Sequence, residues 1–167
     1  MLKDRRVPQE VPSWSRLLEW SLVAGVIAVL CLVFFRQVNV LQGQIELAAV
    51  RTTLGALRTA LLLDYLHQKV KGDSQAMAGV QRNPFELLEH KPVNYKGVLR
   101  PDDVEAVPAG SWLFEPSCDC VGYVPLYSQW FVSPSGDVMA WYRVSGEQEA
   151  LQLIAKDAYR WQDEVMD

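Results

Sequence analysis

The stretch from Trp20 to Phe35, WSLVAGVIAVLCLVFF, holds sixteen residues without a charge, and nothing else in the chain limits its fold so severely. Extending back to Leu17 gives nineteen residues at the cost of including Glu19. About twenty residues cross the hydrocarbon of a bilayer as a helix, so the length is sufficient if Glu19 reaches the headgroups. Lys3, Arg5, Arg6 and Arg16 precede the run, whereas Arg36 is the only basic residue in the fifteen that follow it. That asymmetry predicts a cytoplasmic amino terminus with the remainder outside. Trp14 and Trp20 stand where an interfacial aromatic belt would lie.

Two other readings compete. A positive tail before a short apolar core also describes a signal peptide, but RQVNVLQGQ after it lacks the small-x-small pair that cleavage requires. A buried soluble helix would have to begin behind a basic tail containing Pro8 and Pro12. The reading adopted is an uncleaved anchor over 17–36, with 1–16 as a cytoplasmic tail. Composition is otherwise ordinary: half the residues are hydrophobic, 22% are charged and the net charge is -4. No basic surplus points to a nucleic-acid partner.

No proline interrupts residues 36–82, and Leu47, Val50, Leu54, Leu57 and Leu61 recur at steps of three and four. This spacing draws one apolar stripe along a helix continuing over 37–71, outside the membrane. Lys69, Lys71 and Gly72 supply its carboxyl-terminal stop, while Gly43 and Gly55 are its weak points. Residues 72–94 read as a linker, GDSQAMAG, followed by a short helix in NPFELLE with Asn83 as cap and Pro84 in the first turn.

Residues 95–167 read as a small β-rich domain. Runs such as YKGVL, GSWLFEP, CVGYVPLY, QWFVSPSGD and VMAWYRV are aromatic and β-branched, with Pro, Gly and Ser between them. SPSGD is expected to join two strands as a hairpin. In VMAWYRV both faces are apolar, which predicts a strand covered on two sides. ALQLIAKDAYRW fits a strand or a helix about equally well. An apolar helix face needs a sheet and a small sheet needs a cover, so the expected fold is α+β, a long amino-terminal helix packed on an antiparallel meander.

The ordered set NPFELLE, PVNYKGVL, GSWLFEP and GDVMAWYRV, behind that helix, resembles the type IV pilin and type II secretion pseudopilin class. More narrowly it is similar to minor pilin-like biogenesis proteins of mannose-sensitive haemagglutinin (MSHA) pili. The resemblance implies a pilin-like fold in which a glycine-x-tryptophan strand pairs with a strand ending in tyrosine-arginine. It also implies partners among other pilin-like or inner-membrane assembly proteins, and a place in the bacterial inner membrane with a periplasmic carboxyl-terminal domain. The chain departs from the class at the cleavage motif. Glu19 stands where the precursor glycine belongs, Trp20 at the first mature position and Ala24 where the mature glutamate would be. The departure implies a permanently anchored relative that supports assembly without entering the fibre.

Among chemistry-bearing residues, Cys31 reads as a small hydrophobe. Cys118 and Cys120 in SCDCVG are expected to form a local disulfide, with a redox pair as the alternative. His67, three residues after Asp64, reads as part of a solvated helix pair, and His90 has less to recommend it. Asp102, Asp103 and Glu105 in PDDVE lack the ligand alternation of a calcium loop and read as a solvated turn. Ser111, Ser117 and Ser133 have no nucleophile motif around them. No catalytic residue, cofactor, metal or small-molecule substrate is expected. The interaction surfaces expected are the Leu47–Leu61 stripe and, within the membrane, Ala24 and Ala28, which are four apart and permit close helix approach.

Overall fold

The computed structural model describes residues 13–71, 83–99, 107–146, 152–162 and 164–166. PDDVE, GDSQAMAG and residues 1–12 of the expected amino-terminal tail lie outside these residues, while residues 13–16 of that tail already belong to the long helix. The chain divides into two compact units, one ending at Leu41 and the other comprising 42–167. A single helix, α1 (Ser13–Lys71, 59 residues), contributes to both, and Lys69 and Lys71 occupy its last turn, where cations suit the helix dipole.

In the first unit α1 is apolar on every side. The window within it has a mean hydropathy of 2.4, and none of it is buried by the protein. By length and composition this part of the helix is able to cross a membrane, with its backbone hydrogen bonds satisfied internally.

The second unit is α+β. A five-stranded sheet has the order β1-β2-β3-β5-β6, formed by β1 (Tyr95–Val98), β2 (Trp112–Glu115), β3 (Cys120–Tyr123), β5 (Ala140–Ser145) and β6 (Gln152–Ala155). A smaller sheet joins β4 (Phe131–Val132), β7 (Arg160–Trp161) and β8 (Glu164–Val165) in that order. β1 runs parallel to β2; every other pairing is antiparallel. The sheets are thus mixed and antiparallel, and only part of the chain is a meander.

Three local expectations change. SPSGD does turn, with Gly136 N–H donating to Ser133 O, but the strands on either side do not pair. β4 leaves for the second sheet and pairs with β7 instead. The glycine-x-tryptophan strand β2 does not pair with β5, which carries Tyr142-Arg143, because β3 lies between them. The ambiguous segment resolves as strands β6 and β7, broken at Asp157. This residue accepts from Ser135 N–H and Ser135 Oγ and so fixes a turn that a helix would not allow.

The core lies under α1. Leu47, Val50, Leu54, Leu57 and Leu61 are all buried there. Their cluster includes Trp112, Phe114, Val121, Tyr123, Tyr142, Leu153, Tyr159 and Trp161. The rings form a connected series: Phe85 stacks on Tyr95 at 4.1 Å and Trp112 meets Tyr123 at 4.6 Å. Tyr123 then meets Trp161 at 5.9 Å, which meets Phe131 at 5.2 Å. Offset and tilted ring pairs of this kind add to simple area burial.

The short helix is a 3-10 turn, Pro84–Leu87. Asn83 caps it by accepting from Phe85 N–H, and its amide donates to the Tyr95 hydroxyl at 2.7 Å. On the sheet face opposite Trp112 and Phe114, the Trp141 ring lies over Gly122 and Leu113. A Cβ on Gly122 would sit 2.7 Å from that ring, so only glycine fits. This covers the second face of the central strands, as the two-sided apolar pattern of VMAWYRV requires.

Candidate functional site

The stripe residues meet the protein's own sheet. Leu57 and Leu61 are fully buried, so within a folded chain this face is the docking surface for the described strands and is not open to a second protein. Burying five such side chains supplies most of what holds sheet to helix, each worth about 1.5–3 kcal/mol.

At the amino-terminal end of that face stands a residue the sequence reading passed over. Glu46 is 5% exposed, and its carboxylate is the hub of a three-donor clamp. Oε1 accepts from the Tyr123 hydroxyl at 2.9 Å and from Leu126 N–H, and Oε2 accepts from Tyr127 N–H at 3.1 Å. One helical side chain thereby holds both the end of β3 and the VPLY loop after it. Burial first, and then the neighbouring Glu46 charge and hydrogen bond, push the Tyr123 hydroxyl well above its ordinary range. The proton therefore stays on Tyr123 as the donor at any physiological pH. The available signal was positional: Glu46 sits four residues before Val50, inside the apolar stripe, where a carboxylate must find donors or be expelled.

One turn earlier, Gly43 admits the β4 region. A Cβ there would meet the Gln162 amide and come within 2.9 Å of Trp130 Cδ1. Gly55, by contrast, has nothing within 4 Å of that position. The two glycines that read alike in sequence thus differ in kind. Farther along, Arg51 pairs with Glu164 at 2.6 Å, and Arg58 Nη2 donates to Leu153 O at 3.2 Å.

Cys118 and Cys120 are joined as a disulfide across the β2–β3 turn, with Asp119 between them at φ 52°. The cysteine-side sulfur of Cys120 is buried with its residue, while Cys118 is half-buried. The closed loop is so short that the bridge restrains little of the unfolded chain. Ala24 and Ala28 lie on the exposed surface of the apolar unit. His67 is exposed, and the Asp64 carboxylate accepts from Gln68 Nε2 at 2.6 Å. Ser117 donates to Glu115 within its own turn, and Ser133 donates across to Asp157, tying the SPSGD turn to the β6–β7 turn. Among the described residues, no three or more His, Cys, Asp or Glu side chains gather as a metal-binding set.

An open groove of about 980 Å³ runs beside β6, lined by Arg58 and Leu62 of α1, by the strand itself and by Val165 and Met166. Its walls are mainly apolar side chains and strand backbone.

Comparison with models of known protein families finds no match, and neither curated proteins nor solved structures contain a significant relative.

Proposed function

We infer that this protein is a non-enzymatic, membrane-anchored assembly component. Residues 17–36 span the inner membrane of a Gram-negative bacterium, the amino terminus is cytoplasmic and the α+β unit is periplasmic. The observation that carries the anchoring is the wholly exposed, uncharged surface of α1 from Trp20 to Phe35, since water does not tolerate a patch of that size on an isolated chain. The machine it serves is an MSHA-type pilus or a related secretion system, acting through protein–protein contacts. Support comes from the motif order NPFELLE to GDVMAWYRV and from a long amino-terminal helix whose outer half packs on a sheet.

The buried stripe moves the expected contact surface. Partners meet the lipid-embedded part of α1, including Ala24 and Ala28, and the outer surfaces of the sheet, but not Leu47 to Leu61. A bitopic scaffold of another envelope complex is the alternative within the same class. Deleting the chain from its host is expected to abolish surface pili while leaving the major pilin synthesised. Complementation by Cys118→Ser with Cys120→Ser is expected to restore them fully. Normal piliation in the deletion strain would remove the pilus reading, and failure of the double-serine chain to complement would favour a thiol-redox protein.

A further inference from the structure

We draw no further inference here: the strongest candidate, the open groove beside β6 whose rim carries the half-exposed apolar side chains of Leu62, Ile154 and Val165, is an unpartnered apolar face, and nothing in the structure shows what covers it.

Discussion

Helix α1 carries two different solvents' requirements in one secondary structure. Before Leu41 every face is apolar and exposed, from Leu22 through Phe35. After it, apolar residues keep to a stripe that vanishes beneath a sheet. Backbone geometry is the same in both parts, and what differs is where side chains find apolar neighbours. In the first part none of the described residues covers them, whereas in the second the chain supplies its own. A leucine at position 30 and a leucine at position 57 therefore perform different jobs, and mutation should separate them.

The largest effect expected is at the stripe. Leu57→Ala should cost about 2–5 kcal/mol of stability in the second unit, measured by chemical unfolding of the full chain through near-ultraviolet circular dichroism. Leu30→Ala should leave that transition unchanged. Next comes the clamp. Glu46→Ala strands three donors and should cost about 3 kcal/mol. Glu46→Gln, which keeps an acceptor, should cost less, and hydrogen exchange at Leu126 and Tyr127 should report the loosening.

The glycines sharpen the contrast within the second unit itself. Gly55→Ala, with free space around it, should stabilise by about 1 kcal/mol through helix propensity. Gly43→Ala should instead destabilise by about 1–3 kcal/mol, because Trp130 and Gln162 must move. Equal effects from the two would mean that the β4 region does not dock at Gly43.

The smallest effect concerns the turn after β6. Hydrogen bonds from Ser135 hold the Asp157 carboxyl below its ordinary range. Because the folded value is depressed, this contribution is present above the ordinary carboxylate range and disappears as pH falls through the folded value. Acid titration is expected to loosen the β6–β7 turn at a pH below about 4. Asp157→Asn should remove that dependence.

Much of this was legible from residues alone. The apolar run, the stripe from Leu47 to Leu61 and the cap at Asn83 each depend on local periodicity or on one side chain bonding its own neighbours. Strand partners were less legible, because pairing is decided by residues far apart in sequence. Nothing in SPSGD itself says that β4 turns away to meet Trp161, or that β3 slips between β2 and β5. Glu46 escaped for a related reason: its place on the stripe says that it needs donors, but those donors are a tyrosine and two loop amides about eighty residues later.

The claim on which the account rests is that 17–36 remains in the bilayer, uncut, with the folded unit on its outer side. Epitope tags at both ends, followed by protease treatment of intact spheroplasts, test it in a single blot. The carboxyl-terminal tag should be lost while a membrane-bound fragment keeps the amino-terminal one. A protected carboxyl-terminal tag, or a soluble chain lacking the residues before Arg36, would contradict it.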